Sequence, residues 1–559
     1  MPSEEIEAQR RRLLILLASL LAVTIVIVGR LLYWQVAKAA DIKETRQCTK
    51  IIAPARGELL DTQGDLLAGG VTTYNVIATP REMKSITTTA ETLAPILGRT
   101  KEALLASMRE SPDYVRLAWR VNAEVRERIQ RLNLLAVGFE PEYQRAYPGG
   151  MAAAHLLGFV QYDGQGVLGV EGKYDDLLRG KQGELKTVCG PNGEEVPVAP
   201  RLYTAPQNGA TLTLTVDRNI QYMAQSVLEQ RIAAERAAGG TIIVLNPRTG
   251  AILAMANWPT FDLNNFADAD PKLFRNPALV PYEPGSAFKI ITMAAGLQSK
   301  TITPSTTFYC RGETTVGSTK ITNADNKAHG YETMTQVLQH SCNVGMVFVA
   351  QKLGTTIFYK FVQSFGFGKA TGVDLQGEEA GIVKSPNSNA WSPLELATNS
   401  FGQGIAVTPL QLAVATAAVA NGGTLLQPYA VQKIFDAQGT VTVTQPITVR
   451  QVISPSTAKT LSEMLVDVVE HEGKIVSIPG YRLAGKTGTA EVFVNGRYAQ
   501  DQVIDTFVGF GPVDDARFVI LVKIDHPKVN KWALDVAGPA FRSMANWLLA
   551  YWRIPPQNR

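Results

Sequence analysis

A run of seventeen uncharged residues, mostly Leu, Ile, Val and Ala, lies near the start of the chain, from Leu13 to Gly29. At 1.5 Å per residue a helix of this length reaches the short end of what crosses a bilayer, and the apolar residues after Arg30 make up the difference while that side chain snorkels. Tyr33 and Trp34 suit the far membrane interface. The sequence therefore predicts a transmembrane anchor over residues 13–36.

The charges beside this run predict its orientation. Arg10, Arg11 and Arg12 precede it, and flanking basic residues stay in the cytoplasm, so residues 1–12 are expected to be a cytoplasmic tail and the rest of the chain to lie outside. A cleaved signal peptide is the alternative, because Ala37-Lys38-Ala39 is similar to a small-residue cleavage site. The long apolar stretch and the bulky aromatics after it favour the uncleaved anchor. No other stretch is apolar enough to cross again, so a single pass is expected.

The composition of the whole chain limits its class. At about 150 residues per domain, 559 residues are enough for three or four domains, and 45% hydrophobic with 19% charged residues is typical of a packed globular chain. The formal net charge is only +4. Because a protein that binds a phosphate backbone needs a broad basic surface, nucleic acid is not expected as a partner.

Four cysteines, Cys48, Cys189, Cys310 and Cys342, are scattered along the chain. They form no Cys-x-x-Cys pair and have no histidine nearby at metal-binding spacing, so no metal site is predicted. One or two disulfides in an oxidising compartment remain open as an alternative to free thiols.

Two folded parts are expected after the anchor. The first, residues 37–206, combines short strands, Gly/Pro-rich loops and a helical stretch, which predicts a mixed α+β unit without a catalytic cluster. The second, residues 207–559, starts with a strand and a helix that Asp217 caps, and has hairpins at residues 239–257 and 505–525. A helix around residues 537–552 follows. These patterns predict an antiparallel sheet flanked by helices, in an α+β multidomain chain.

Three short signatures in the second part carry reactive side chains. In the first, Ser286 and Lys289 lie three residues apart in the segment YEPGSAFKIITMAAGLQ, after the chain-breaking Pro284 and Gly285. Helical spacing places the lysine beside the serine, where it can take the hydroxyl proton if it is held partly neutral. The start of the helix also offers backbone N–H groups to an oxyanion.

The second and third signatures supply further polar groups. Ser341 and Asn343 end a helix-like run, and they provide a hydroxyl that can relay a proton and an amide that can hold a carbonyl. Lys486 to Thr489 precede a strand-like segment. There Lys486 provides a positive field, threonine hydroxyls can grip a carboxylate, and Gly488 permits close backbone approach.

The order of the three signatures is more specific than any one of them. Ser-x-x-Lys also occurs at Ser456–Lys459 and Ser-x-Asn at Ser385–Asn387, but neither belongs to a second ordered set, so we interpret both as accidental. Three other candidates are interpreted as structural: the pair Glu395 and Asn399, whose spacing resembles the deacylating pair of class A β-lactamases, is scaffold, the Cys342 thiol is for packing, and His329 and His340 are loop and helix-surface residues.

With these signatures in place, the chain resembles the class B penicillin-binding proteins, serine acyltransferases of the penicillin-recognising superfamily, and within them the division-type (FtsI/SpoVD) group. The resemblance runs from residue 10 to residue 545. It includes ARGELLDTQGDLLA, YQRAYPGGMAAAHLLG and GVEGKYDDLLRG, which resemble pedestal motifs, and RNPALVPYEPGSAFK, FGQGIAVTPLQLAVATAAVANGG and AGKTGTAE, which resemble transpeptidase motifs.

The resemblance implies a role for each signature residue. Ser286 would attack the penultimate D-Ala of a peptidoglycan stem pentapeptide with Lys289 as its base, Ser341 would pass the proton to the leaving D-Ala, and Asn343 would orient the peptide. The terminal carboxylate would bind to the side chains of Lys486, Thr487 and Thr489, beside Gly488. The backbone N–H groups of residues 286 and 489 would form the oxyanion hole, and β-lactams would acylate the serine.

The resemblance also implies partners and a location. It places residues 37–206 as the pedestal and residues 207–559 as the transpeptidase domain of a single-pass protein of the bacterial plasma membrane, without a cofactor. A SEDS-family glycosyltransferase is the expected membrane partner. Septal wall synthesis is the expected role, and the alternatives are an elongation-type transpeptidase, a β-lactam sensor or idle scaffold, and a β-lactamase.

Overall fold

The computed structural model describes residues 3–37, 46–189, 196, 199–389, 391–494 and 497–556. The chain divides into two compact units, residues 1–55 with 180–208 and residues 56–179 with 209–559. The helices are α1 (Ser3–Leu32), α2 (Ile86–Leu97), α3 (Lys101–Glu110), α4 (Ala123–Gln130), α5 (Ala154–Leu157), α6 (Gly169–Lys173), α7 (Asp175–Arg179), α8 (Arg218–Glu235), α9 (Lys289–Gln298), α10 (Met334–Gln339), α11 (Asn343–Ser364), α12 (Pro393–Asn399), α13 (Pro409–Ala420), α14 (Pro455–Glu472), α15 (Ala533–Val536) and α16 (Gly538–Tyr551).

The strands follow the same chain order. They are β1 (Arg46–Ile52), β2 (Leu59–Leu60), β3 (Leu66–Ala78), β4 (Val115–Val121), β5 (Val137–Ala146), β6 (Phe159–Val160), β7 (Gly166–Val167), β8 (Gly183–Cys189), β9 (Leu202–Thr204), β10 (Thr211–Leu214), β11 (Gly239–Leu245), β12 (Ile252–Trp258), β13 (Thr307–Cys310), β14 (Glu313–Val316), β15 (Thr319–Thr322), β16 (Gly330–Thr333), β17 (Thr424–Leu426), β18 (Val431–Phe435), β19 (Val441–Val443), β20 (Thr448–Gln451), β21 (Ala484–Val494), β22 (Arg497–Gly511) and β23 (Phe518–Asp525).

The first unit contains the predicted anchor. Helix α1 continues into a π-helical turn, Tyr33–Ala37, and Glu7–Val36 is long and apolar enough to cross a membrane, with none of its most apolar part buried. The helix thus begins before the predicted tail ends at residue 12. It is the candidate span among the described residues, which agrees with single-pass anchoring.

A small antiparallel sheet forms the rest of the first unit, with strand order β1-β8-β9. The register of β1 on β8 aligns Cys48 with Thr187 and residue 46 with Cys189, and the two cysteines form a disulfide. The alternative of a disulfide is therefore realised for one pair of the four cysteines. Cys310 and Cys342 are buried free thiols in the second unit.

The second unit starts with a sheet built on the long strand β3. This strand pairs with β4 and β5, and through β2 the sheet continues to β10, β18 and β19. Helices α2, α3 and α4 begin at the side-chain caps Ser85, Thr100 and Asn122, and pack on one face of this sheet. Their shared core is apolar and includes Val76 and Leu93 with 0% exposure.

The three motifs that resemble pedestal motifs meet in space. Glu171 is fully buried, and its carboxylate forms ion pairs with Arg56 at 2.6 Å and with Arg145 at 2.7 Å. Arg56 also pairs with Asp175 at 2.8 Å. We call these four residues the arginine cluster. Since each motif contributes to it, the cluster joins segments that are far apart in the sequence.

The catalytic part is built on an antiparallel sheet of order β12-β11-β23-β22-β21. Its strands alternate between two cores: Ile242 and Val522 face α8 and α16, whereas Ile243 and Leu521 face the layer with α9 and α13. This alternation follows the two-residue period of a strand. The predicted antiparallel sheet between helices is confirmed, as are both hairpins and the helix that Asp217 caps.

Candidate active site

Ser286 lies in a tight turn that ends against the edge strand β21. A short 3-10 helix, Gly285–Phe288, precedes α9, and Gly285 adopts a left-handed φ of 52°. A Cβ added at Gly488 on β21 would lie 2.6 Å from the Pro284 carbonyl oxygen and 2.8 Å from the Ala287 nitrogen. Both atoms are backbone, so glycine is required for this turn and strand to meet.

Lys289 starts α9 and is fully buried. Its Nζ donates to the Ser341 carbonyl oxygen at 2.5 Å, to the Ser341 Oγ at 3.2 Å and to the Asn343 Oδ1 at 2.8 Å. The ammonium therefore joins the first and second signatures directly. Burial and the nearby charge of Lys486 lower the pKa of Lys289 well below its usual value. A lysine in this environment can be neutral near neutral pH and accept a proton.

The second signature forms a break between two helices rather than the end of one continuous run. Helix α10 ends at Gln339, Ser341 has a left-handed φ of 52°, and the Cys342 side chain caps α11. The Asn343 Nδ2 donates to the carbonyl oxygen of Thr322, the last residue of β15, at 3.0 Å. Serine at a positive φ is strained, and the strain places its hydroxyl beside Lys289.

The third signature lies within β21, whereas the sequence placed it before the strand. Lys486 is fully buried, and its Nζ donates to the Thr487 Oγ1 at 2.9 Å. That hydroxyl donates in turn to Glu472 Oε1 at 3.2 Å. Burial lowers the pKa of Lys486, while the charge of Glu472 opposes the shift. Glu472 ends α14 and was not predicted, because nothing in its local sequence links it to residues 486–489.

Thr489 has a second unpredicted partner. Its hydroxyl donates to Asp505 Oδ1 at 2.7 Å and accepts from the Ala533 backbone N–H at 3.1 Å. Asp505 has 0% exposure, its Oδ2 has no hydrogen-bond partner among the described residues, and burial raises its pKa to about 7. The register of the sheet pairs residues 489 and 505, and a hairpin pattern alone could not give that register.

One cleft of about 690 Å³ brings the three signatures to a common space. Ser286, Asn343 and Thr489 all line it, and its other walls include β15 with the loop after it, α12 and the segment that contains Trp532. A serine hydroxyl, an amide and a threonine hydroxyl thus face one volume large enough for a peptide end. The buried lysines lie behind this surface.

The candidates that we interpreted as accidental or structural lie elsewhere or have partners. Ser456 and Lys459 are on the exposed part of α14. Glu395 forms an ion pair with Lys384 at 2.5 Å, and the Asn399 amide hydrogen bonds with the Tyr359 hydroxyl at 2.9 Å, which fits a scaffold role. Burial raises the pKa of the Cys342 thiol, so it is a poor nucleophile.

The two histidines lie where the sequence placed them, with His329 in the loop before β16 and His340 exposed at the end of α10. His329 has a side chain with only 9% exposure, and it and His340 both lie against the buried Glu332. Neither histidine hydrogen bonds to Ser286 or Lys289 among the described residues.

Comparison with known proteins agrees with this geometry. Residues 240–546 match the family described as penicillin binding protein transpeptidase domain, and residues 51–214 match the penicillin-binding protein dimerisation domain. Stage V sporulation protein D of Bacillus subtilis is 35% identical over 93% of this chain and 82% of its own length. The probable peptidoglycan D,D-transpeptidase PenA of Neisseria meningitidis is 32% identical over 91% of this chain and 86% of its own.

A solved structure gives the same result for the fold. Penicillin binding protein 3 of Mycobacterium tuberculosis, complexed with aztreonam, is 28% identical, with a TM-score of 0.71 over 91% of this chain and 98% of that one.

Proposed function

This chain belongs to the class B penicillin-binding proteins, peptidoglycan D,D-transpeptidases, and we propose that it crosslinks stem peptides through an acyl-enzyme on Ser286. The observation that carries the proposal is the buried, pKa-lowered Lys289 between the turn of Ser286 and the Ser341 hydroxyl. A desolvated lysine of this kind can activate a serine one helical turn away.

In the first half-reaction, the Ser286 Oγ forms a bond to the carbonyl carbon of the penultimate D-Ala while Lys289 takes the hydroxyl proton. The backbone N–H groups of residues 286 and 489 stabilise the oxyanion. The bond to the terminal D-Ala then breaks. Its amine receives the proton through the Ser341 hydroxyl, which already accepts from Lys289. The peptide ester stays on the enzyme.

The second half-reaction reverses these proton transfers. An amine from a neighbouring stem peptide attacks the ester carbonyl, its proton returns through the same groups, and the Ser286 Oγ leaves as a hydroxyl. The crosslink is the new amide. No cofactor takes part in either half-reaction.

Substrate binding uses the rest of the cleft. Asn343 orients the peptide, and Lys486 supplies the positive field for the terminal carboxylate. Thr487 and Thr489 contribute hydroxyls, and Gly488 keeps the strand close to the serine turn. A β-lactam takes the place of the D-Ala-D-Ala end and leaves a slowly hydrolysed ester on Ser286.

The test is intact-mass analysis of the full chain in detergent after penicillin treatment, followed by peptide mapping. We expect one adduct on Ser286 and none on Ser286→Ala. An adduct at another residue would contradict the assignment. Rapid turnover of penicillin would identify a β-lactamase instead. Formation of crosslinks from lipid-linked pentapeptide distinguishes the transpeptidase from a sensor or scaffold that only binds the antibiotic.

We also propose the domain limits and the cellular role. Residues 37–206 act as pedestal and residues 207–559 as transpeptidase domain, with residues 1–12 in the cytoplasm and the catalytic part outside the plasma membrane. The matched ranges, 51–214 and 240–546, support these limits. A septal role with a SEDS-family glycosyltransferase partner follows from the resemblance of residues 10–545 to the division-type group. Depletion should give filamentous cells, whereas rounded cells would indicate elongation.

A further inference from the structure

Four potential metal ligands converge behind the second signature. They are Cys310 at the end of β13, His329 just before β16, Glu332 on β16 and Cys342 at the start of α11, and their donor atoms all lie within 4.8 Å of one another. The two sulfur atoms are 3.3 Å apart. The four residues are separated by 19, 3 and 10 positions, so no short motif in the sequence indicates them.

Two of these side chains present buried polar atoms without a hydrogen bond among the described residues, and the nearest charged contact of one of them, His329 Nδ1, is Glu332 Oε1 at 3.5 Å. The Glu332 Oε2 and the His329 Nδ1 form no hydrogen bond among the described residues, although Glu332 is only 2% exposed. An unsatisfied buried carboxylate oxygen and ring nitrogen are costly in a folded protein. A cation that accepts both lone pairs removes that cost.

The opposite side of each ligand is already held by a second group. The His329 Nε2 lies 3.0 Å from Asp325 Oδ2, which leaves Nδ1 to face the cluster. The other oxygen of Glu332 lies 2.6 Å from the His340 Nδ1. A carboxylate behind a histidine ligand, and a histidine behind a carboxylate ligand, are the outer contacts that orient metal ligands.

The two sulfur atoms have comparable support. The Asn323 Nδ2 donates to the Cys310 Sγ at 3.1 Å, and the Gly345 backbone N–H donates to the Cys342 Sγ at 3.2 Å. N–H donors to sulfur stabilise a thiolate, the form that binds metal. All four ligands are therefore positioned by groups outside the set.

We propose that Cys310, His329, Glu332 and Cys342 bind one zinc ion in a closed, tetrahedral, structural site. Two thiolates, an imidazole and a carboxylate are a ligand set that zinc accepts, and soft sulfur ligands disfavour magnesium or calcium. With Zn–S bonds of about 2.3 Å, the edge of a tetrahedron is about 3.8 Å. The two sulfur atoms at 3.3 Å, and the four donor atoms within 4.8 Å of one another, are close to this spacing.

The site would brace the catalytic signature from behind. Cys342 lies between Ser341 and Asn343, the two residues that contact Lys289. A metal bond to Cys342 would tie them to β13 and β16, and would hold Ser341 at its left-handed φ of 52°. Zinc here is a positioning element that does not touch the substrate.

A disulfide between Cys310 and Cys342 is the rival outcome, since their sulfur atoms are in contact. It would leave Glu332 and His329 with the same unsatisfied atoms, whereas zinc uses all four groups. The convergence of the two non-sulfur ligands therefore favours the metal.

The experiment measures metal in the full chain, purified in detergent without a polyhistidine tag and with zinc in the growth medium. Elemental mass spectrometry should find about one zinc per chain. Cobalt substitution should give a thiolate-to-cobalt charge-transfer band. Cys310→Ser and His329→Ala should weaken zinc binding about 10- to 100-fold and lower the rate of penicillin acylation at Ser286 about 10-fold, as the loss of metal-site residues does elsewhere.

His471→Ala is the matched control, because the His471 ring packs edge-to-face against the His340 ring, with 5.5 Å between the ring centroids, but is not a ligand. It should keep full zinc content. Absence of bound metal from the unsubstituted chain, or a Cys310–Cys342 disulfide in peptide maps prepared without reductant, would overturn the proposal. The metal content needs no activity, so failure here and failure of the Ser286 assignment are distinguishable.

Discussion

Two regions of the molecule that bury positive charge surround it with opposite kinds of partner. In the arginine cluster, Arg56 and Arg145 face the carboxylates of Glu171 and Asp175 at 2.6 to 2.8 Å. In the active site, Lys289 and Lys486 are both fully buried, and the hydrogen bonds of Lys289 go to uncharged oxygens of Ser341 and Asn343.

The pKa directions express this difference. Burial alone lowers the pKa of Arg56, but Glu171 and Asp175 outweigh it and raise the pKa overall. For Lys289, burial and the charge of Lys486 act together and lower the pKa. Where carboxylates neutralise the buried cations, as in the arginine cluster, the ion pairs hold segments of the chain together. Where the hydrogen bonds of the buried cation go to uncharged oxygens, as at Lys289, its pKa falls and it can act as a base. The same element of chemistry, a buried cation, thus serves structure in one region and reactivity in the other.

Removing the base should have the largest effect. Lys289→Ala is expected to slow acylation of Ser286 by penicillin roughly a thousandfold, within the range for loss of a positioned general base. Lys289→Arg should lose as much, because a guanidinium keeps the charge but cannot give up its proton at neutral pH. Stopped-flow or quenched labelling with fluorescent penicillin measures both rates.

The second Ser-x-x-Lys of the chain provides the control for that loss. Lys459 is exposed on α14, and in the Lys459→Ala variant penicillin should acylate Ser286 as fast as in the unsubstituted chain. Full activity in Lys289→Arg would show that charge, and not proton transfer, is what this lysine provides.

A substitution in the arginine cluster should lower the stability of the fold and leave the acylation rate nearly unchanged. Glu171→Ala leaves Arg56 and Arg145 buried with reduced compensation, and we expect the free energy of unfolding to fall by about 3–5 kcal/mol. The rate constant for acylation of the folded chain should change less than twofold. Thermal denaturation in detergent and penicillin labelling well below the transition measure the two effects separately.

A surface ion pair calibrates this prediction. Glu127 pairs with Arg131 at 3.4 Å with both side chains largely exposed, and Glu127→Ala should cost about 0.5 kcal/mol or less. Equal losses for Glu171→Ala and Glu127→Ala would remove the distinction between the two kinds of pair.

The spacing of the active-site cluster depends on a glycine. Gly488→Ala places a Cβ 2.6 Å from a backbone oxygen, so the Ser286 turn must move away from β21. A displacement of about 1 Å at reacting groups can cost about 100-fold in rate, and we expect that loss in acylation. Gly70→Ala, where no atom lies within 4 Å of the added Cβ, should leave acylation unchanged.

Local patterns predicted much of this structure. The apolar run gave α1, alternation gave the two hairpins of the catalytic sheet, and Asp217 marked the start of α8. The spacing of Ser286 and Lys289 identified the serine turn, because chemistry and helix geometry are both local there. The order of the three signatures then brought the remaining catalytic candidates into one hypothesis.

Contacts between segments that are distant in the sequence could not be predicted from it. Glu472 and Asp505 meet residues 487 and 489 only because of helix packing and strand register, which residue patterns do not encode. The convergence of Cys310, His329 and Cys342 was not predicted for the same reason, because their separations in the sequence match no short metal-binding motif. The sequence also placed Ser341 at the end of one helix-like run, whereas this left-handed residue separates two helices, α10 and α11.

The smallest expected effect concerns Asp505, a buried acid whose Oδ2 has no partner among the described residues. Burial raises its pKa from 3.8 to about 7, so the folded chain holds this proton more tightly than the unfolded one. The free energy of unfolding should therefore fall as the pH rises from about 4 to about 7, and Asp505→Asn should remove that part of the pH dependence. Thermal denaturation across this range measures it.

The same titration should reach the substrate through Thr489. Above pH 7 the ionised Asp505 accepts a hydrogen bond from the Thr489 hydroxyl, with 2.7 Å between the two oxygen atoms. The hydroxyl is then not available to donate to the carboxylate of a ligand. Below pH 7 the protonated acid can donate instead, which frees the hydroxyl. The acylation rate of the unsubstituted chain relative to Asp505→Asn should thus fall about fivefold from pH 6 to pH 8, which corresponds to one hydrogen bond of about 1 kcal/mol. Taking the ratio cancels the opposite pH dependence of Lys289, and a flat ratio would show that Asp505 does not control the threonine.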